Sequence, residues 1–254
     1  MATVDQRGSG LPTAHRPRGA LRDLGVALVL ALLAVDATWW LLGLTASYVL
    51  AGLVVYVILA RLLLRALPPD LPGPGIGRAN RVTLARAALA VPVLALALVP
   101  PPPGDAAAWW IIAVSTVVMA LDGLDGRVAR RTGTESPFGA RFDMELDAAL
   151  ILALSVLVWR SGRIGPWVLL IGLMRYGFVA ASWLWPALAA ELPPSLRRKV
   201  VCVVQGVVLL VALGPIIPDA VAIAVSALGL VALTYSFAVD VRWALVAAGK
   251  ARVS

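Results

Sequence analysis

The stretch Asp122–Asp147, DGLDGRVARRTGTESPFGARFDMELD, decides how the chain is read. It joins two apolar runs, 106–125 and 144–159, and places four aspartates at their facing ends. Asp122 and Asp125 are three residues apart and Asp143 and Asp147 four apart, so each pair occupies one face of its helix. The segment Thr132–Gly139 contains Gly133, Pro137 and Gly139, enough to turn the chain and return the second helix beside the first. Four carboxylates then converge. Left to themselves they would repel one another and be costly near lipid, and one or two divalent cations remove that cost. Ligation by oxygen alone favours Mg²⁺ or Mn²⁺ over zinc.

The apolar runs on either side belong to a pattern that fills the chain. Of 254 residues, 61% are hydrophobic and 14% charged, with a mean hydropathy of +0.90. A soluble domain carries about 45–50% apolar and about 25% charged residues, so this chain lacks the charge to cover a water-soluble globule. Disorder is excluded by the same figures. The expected fold is all-α, a polytopic transmembrane bundle of about eight spans. A span needs roughly 20 apolar residues, and the candidates are 24–43, 46–66, 81–100, 106–125, 144–159, 165–188, 200–215 and 219–240. The first is read as a retained helix, because its core is too long for a signal peptide and no convincing cleavage site follows. Prolines and glycines in Pro68–Gly77, PPDLPGPGIG, forbid a continuous helix and separate the first two spans from the last six. The expected division is a tail 1–23, two added helices 24–66, a linker and interfacial segment 67–80, a six-helix core 81–243 and a tail 244–254.

The formal charge of +8 is distributed as a membrane requires, not as nucleic-acid binding would. With the N-terminus in the cytoplasm, Arg160 and Arg163 alone fall outside and Arg175 lies within a helix. Every other arginine and lysine is then inside. Both termini and the aspartate cluster are therefore expected on the cytoplasmic side. The outer loops Pro100–Gly104 and Pro215–Asp219 are too short and proline-rich for chemistry. Arginine outnumbers lysine in an Ala-, Val- and Leu-rich chain, a composition that resembles a GC-rich bacterial genome. The one cysteine, Cys202, excludes an intrachain disulfide. The one histidine, His15, sits in the polar tail, away from any intramembrane chemistry.

Beside the aspartates, Gly126 and Ala129 leave room for close approach of a ligand, and Arg130 can grip a phosphate bidentately. Carboxylates, metal and arginine together suit a pyrophosphate undergoing in-line displacement. The full pattern, Asp122-x-x-Asp125-Gly126-x-x-Ala129-Arg130, eight residues, then Gly139-x-x-x-Asp143-x-x-x-Asp147, resembles the signature of the CDP-alcohol phosphatidyltransferases with no position missing. The resemblance covers residues 76–243 and not the first two spans.

That resemblance implies transfer of a phosphatidyl group from CDP-diacylglycerol to an alcohol, with release of CMP, by an enzyme of phospholipid biosynthesis in the cell membrane. It implies that Asp122, Asp125, Asp143 and Asp147 hold Mg²⁺ or Mn²⁺, as two ions, and that Asp147 also deprotonates the acceptor. Gly126, Ala129, Arg130 and Gly139 would lie at the CDP group, and Ser136 matches a donor-contacting position. Asn80-x-x-Thr83-x-x-Arg86 resembles an element facing the nucleotide; its plainer reading is a helix cap followed by a snorkelling arginine. A homodimer is common in the family.

Arg175, inside an apolar run, either contacts substrate or pairs with a buried Asp or Glu. Arg197-Arg198-Lys199 either binds a phosphorylated acceptor or merely follows the positive-inside rule. Asp36 is placed near the outer boundary, and the paired tryptophans Trp39-Trp40 and Trp109-Trp110 in interfacial belts. Glycerol 3-phosphate is the first choice of acceptor, with inositol phosphate, inositol and serine as alternatives. A transporter is the rival class, but its carboxylates would sit near the bilayer midplane and not at one boundary.

Overall fold

Runs of Leu, Val and Ala punctuated by Pro and Gly fold, in the computed structural model, into α-helices that stop where the punctuation falls. The structure describes residues 16–68, 75–100, 102, 104–132, 136–189, 192–193 and 195–251; the side chains of 16–18, 78–79, 124–132 and 249–251 lie outside that description. The helices are α1 (Arg16–Leu42), α2 (Ala46–Ala66), α3 (Arg78–Leu96), α4 (Asp105–Thr132), α5 (Pro137–Arg160), α6 (Leu169–Leu184), α7 (Leu196–Leu213) and α8 (Asp219–Ala251). Single 3₁₀ turns at Pro166–Val168 and Pro186–Ala189 flank α6. Among the described residues there is no strand. The chain is an all-α membrane protein.

Among the described residues, five segments are long and apolar enough to cross a bilayer: Gly19–Leu42, Ala46–Ala66, Asp105–Gly123, Pro166–Leu184 and Asp219–Ala248. The other three helices, α3, α5 and α7, are less apolar for a local reason. α3 carries Asn80, Arg81 and Arg86; α5 carries Asp143, Glu145 and Asp147; α7 opens on Arg197-Arg198-Lys199. Polarity is concentrated in the helices that build the interior. α4 has 28 residues, about 42 Å at 1.5 Å per residue. Its apolar window ends at Gly123, so its last turns continue beyond the span.

α3, at the centre of the packing, buries mostly small side chains. α3 packs against α1, α2, α4 and α5, and its buried residues include Ala87, Ala88, Ala90, Val91 and Ala95. Between helices in lipid, close backbone approach replaces the hydrophobic effect as the cohesive force. Leu33, Trp40, Leu50, Leu228 and Val231, by contrast, are exposed, as lipid-facing residues should be. α5 and α6 approach closely at Gly172. A Cβ on Gly172 would lie 2.5 Å from Leu152 Cα, backbone that cannot move aside.

The first two helices are docked on the rest by specific polar contacts. Tyr56 donates to the Leu24 carbonyl, joining α2 to α1. Tyr48 donates to the Pro92 carbonyl of α3 at 3.4 Å. Trp110 of α4 donates from Nε1 to Thr38 of α1 at 3.0 Å. One tryptophan of the second expected belt pair is thus a bridge between helices.

Both arginines that the charge pattern leaves on the outer side terminate helices. Arg160 donates to the carbonyl of Ala97, the C-cap of α3, at 3.0 Å. Arg163 donates to the carbonyls of Ala212 at 3.1 Å and of Gly214, the C-cap of α7, at 2.8 Å. It also pairs with Asp219 at 2.6 Å. Carbonyls at a helix C-terminus have no partner within the helix and carry partial negative charge, so a cation there compensates both.

Candidate active site

The site begins at the turn that starts α5. Ser136 is the N-cap, its hydroxyl accepting from the Gly139 N–H at 3.0 Å, and Pro137 follows where its missing N–H costs nothing. From this start Asp143 and Asp147 stand one helical turn apart, while Leu146, Leu150 and Leu154 are buried and fix the rotation of α5. Asp122 lies where the apolar window of α4 ends. Because α3 packs against both α4 and α5, whatever α3 projects between them meets all three carboxylates.

That residue is Arg86. Its guanidinium donates from Nη1 to Asp122 and from Nη2 to Asp143, and also reaches Asp147 at 3.3 Å. Side-chain exposure is 1% for Arg86 but 34%, 37% and 30% for Asp122, Asp143 and Asp147. Arg86 forms the floor of the cluster, and the carboxylates open above it. Of the two readings of the Asn80-Thr83-Arg86 element, the plainer one, with a snorkelling arginine, does not hold. Long side chains snorkel when no partner waits inside; three aspartates do wait, and Arg86 turns inward.

One ligand oxygen from each of Asp122, Asp143 and Asp147 lies within 4.8 Å of the others. Three carboxylates against one guanidinium leave two negative charges in excess among these described residues. Oxygen donors alone, partial exposure and an excess of that size fit a hard divalent cation. The Asp143 carboxyl, which precedes the apolar run, is held above the ordinary carboxylate range by burial. Arg86 pulls it down, and the like charge of Asp122 pushes it up again.

Asn80 and Thr83 are buried beside this floor, at 4% and 6% exposure. Asn80 donates from Nδ2 to the Ile76 carbonyl at 2.7 Å. Its Oδ1 lies where a side chain on Gly139 would be, 2.3 Å from an added Cβ. Gly139 therefore lets the start of α3 touch the start of α5. Asp125, Gly126, Ala129 and Arg130 fall on the last turns of α4, and their side chains lie outside the described residues.

Arg175 does not join the cluster. It pairs with Glu145 of α5 at 2.5 Å, and Glu145 is 55% exposed, so the acid partner is present but not buried. Arg197 donates to Ser236 and Asp240, and Arg198 reaches Asp240 at 3.2 Å. Both arginines are thus engaged with α8. The functional candidate that sequence reasoning placed only at the margin is Arg86. Its signal was the spacing Asn80, Thr83, Arg86, one face of one helix.

A protein-family model described as CDP-alcohol phosphatidyltransferase matches residues 77–248. A Dictyostelium discoideum protein, named uncharacterized CDP-alcohol phosphatidyltransferase class-I family protein 2, is 31% identical over 88 residues. The shared stretch is 33% of this chain and 20% of that protein, so the chain matches about a fifth of its relative's length. No solved structure matches the chain.

The Arg86 geometry generates a prediction. Arg86→Gln leaves three carboxylates facing one another over an uncharged floor, which should cost about 3 kcal/mol, the low end for a broken buried ion pair because the aspartates keep some solvent. Thermal unfolding in detergent with a chelator should show a clear fall in Tm. Added Mg²⁺ should raise the Tm of the variant more than that of the parent. An unchanged Tm would mean that Arg86 is not the counter-charge of the cluster.

Proposed function

The chain belongs to the CDP-alcohol phosphatidyltransferase family, and on that premise we propose that it transfers the phosphatidyl group of CDP-diacylglycerol to a small alcohol, releasing CMP. The observation that carries this reading is the convergence of Asp122 of α4 with Asp143 and Asp147 of α5 over Arg86 of α3. A site at that level lets acyl chains stay in the bilayer while the headgroup reaches polar groups.

Asp122, Asp125, Asp143 and Asp147 would hold the divalent metal, Mg²⁺ or Mn²⁺, as two ions. Bound there, it would neutralise the pyrophosphate and the departing CMP. The rest of the chemistry falls to the protein. Asp147 accepts the proton of the acceptor hydroxyl as its oxygen bonds to the phosphorus that carries the diacylglycerol. The bond from that phosphorus to the bridging oxygen breaks, and its electron pair leaves with CMP. Arg86 holds Asp122, Asp143 and Asp147 in register beneath the reacting groups. Gly126, Ala129 and Arg130 of α4 line the CDP group, with Asn80, Thr83, Ser136 and Gly139 shaping its floor.

For the acceptor, glycerol 3-phosphate remains the first choice, ahead of inositol phosphate, inositol and serine. Arg197 and Arg198 are held by Asp240 and Arg175 by Glu145, so support for an anionic acceptor rests on Lys199. The proposed setting is a bacterial cell membrane, with both termini and the aspartates on the cytoplasmic side; a homodimer would accord with the family. The proposed division sets residues 24–66 apart as an addition to a catalytic core of 81–243.

Two outcomes are expected. Asp147→Asn keeps an oxygen ligand but cannot take the proton. It should bind CDP-diacylglycerol nearly as the parent does, while turnover falls by roughly 10²–10⁴-fold, the effect of losing a general base. Asp122→Asn should weaken metal and donor binding together. Donor binding lost equally in both variants would make Asp147 chiefly a ligand and overturn its role as base. For orientation, a cysteine at Gly133 in a Cys202→Ala background should react with impermeant reagent from the cytoplasmic side, and one at Gly104 from the outer side. The reverse labelling would overturn the topology.

A further inference from the structure

A second site lies on the far side of α3 from the aspartates. A groove of about 270 Å³ runs between α1 and α3, lined by Arg22, Asp23, Val26, Leu30, Arg81 and Leu84, with Ala27 and Ala85 at its base. Asp23 of α1 lies 3.0 Å from Arg81 Nε at the start of α3, and Val26 and Leu30, further along α1, line the same groove as Leu84 and Ala85, further along α3. Along both, charge comes first and apolar surface follows: Arg22 and Asp23 before Val26 and Leu30, Arg81 before Leu84. That order, headgroup level first and hydrocarbon depth next, matches a lipid lying alongside. The small side chains of Ala27 and Ala85 leave the space.

We propose that this groove binds an anionic phospholipid of the surrounding bilayer, one that is not a substrate. Its phosphate would lie at Arg22 and Arg81, and one acyl chain along Val26, Leu30 and Leu84. Charge complementarity selects the occupant. Asp23 does not oppose an anion, because it is 11% exposed, accepts from the Ile76 N–H at 3.1 Å and is neutralised by Arg81. Arg22 is exposed and adds the net positive charge. A zwitterionic lipid gains nothing from it. The substrate lipid is set apart by position, since Arg81, Leu84 and Ala85 share one face of α3 while Arg86 projects from another toward the carboxylates. The groove exists only because α1 packs on α3, which gives the N-terminal helices a lipid-binding role.

The test uses the full chain in phosphatidylcholine nanodiscs with a minority of spin-labelled phosphatidylglycerol, or of equally labelled phosphatidylcholine. Electron paramagnetic resonance reads the immobilised fraction. Labelled phosphatidylglycerol should be immobilised in preference to labelled phosphatidylcholine. Arg22→Gln should lower its apparent affinity about fivefold, the effect of one cation near an anionic headgroup, and Arg22→Lys should restore it. Ala85→Leu, which fills the groove, should abolish immobilisation while tryptophan-monitored unfolding stays near that of the parent. Equal immobilisation of the two lipids, or no effect of Arg22→Gln and Ala85→Leu, would overturn the proposal. Displacement of labelled phosphatidylglycerol by CDP-diacylglycerol at a far lower mole fraction than unlabelled phosphatidylglycerol or phosphatidic acid requires would assign the groove to the substrate and overturn the proposal as well.

Discussion

A guanidinium withdrawn from water into a helix bundle has to be met by opposite charge, and the packing around α3 is organised by that requirement. Arg86 is 1% exposed, and an unpaired cation at such a depth would cost several kcal/mol. Asp122 comes to it from α4, and Asp143 and Asp147 from α5, so one side chain ties the register of three helices. The dependence is mutual. Without Arg86 the three carboxylates would repel one another, and without them Arg86 would have no reason to point inward. The alanine-rich flanks of α3 and the missing side chain of Gly139 are the steric counterpart, letting the helices close until the charges meet.

The polarity needed for that cluster explains an uneven distribution of hydropathy. The helices that carry the inward charges, α3 and α5, are short of purely apolar sequence, and α7 begins on a basic triplet. Those lying toward lipid, such as α2 and α8, are apolar over most of their length. Charges at the opposite helix ends serve a different purpose. Arg160 and Arg163 donate to carbonyls at the C-termini of α3 and α7, which have no partner within their own helices.

Much of this was legible in the sequence because it depends on local spacing. Helix number follows from the lengths of apolar runs and from the prolines and glycines between them. The convergence of Asp122 with Asp143 and Asp147 follows from spacings of three and four residues on either side of a turn. Arg86 was legible only as one of two readings, because an arginine two turns into a span has the same local sequence whether it snorkels or turns inward. Only the packing of α3 between α4 and α5 decides. The Arg175–Glu145 pair and the hold of Asp240 on Arg197 and Arg198 are likewise contacts between distant segments, invisible to any local pattern. The groove between α1 and α3 shares that origin, since its two walls come from either side of the Pro68–Gly77 linker.

The central claim is that the aspartate cluster over Arg86 is a metal-dependent phosphatidyl-transfer site. The most direct measurement is CMP release by the purified full chain given CDP-diacylglycerol and glycerol 3-phosphate, with the other acceptors in parallel, in Mg²⁺ and then in excess chelator. CMP and a phosphatidylated alcohol should appear in equal amounts with Mg²⁺, and neither once the metal is removed. Full turnover in chelator, or no transfer to any acceptor by folded protein supplied with Mg²⁺, would contradict the account.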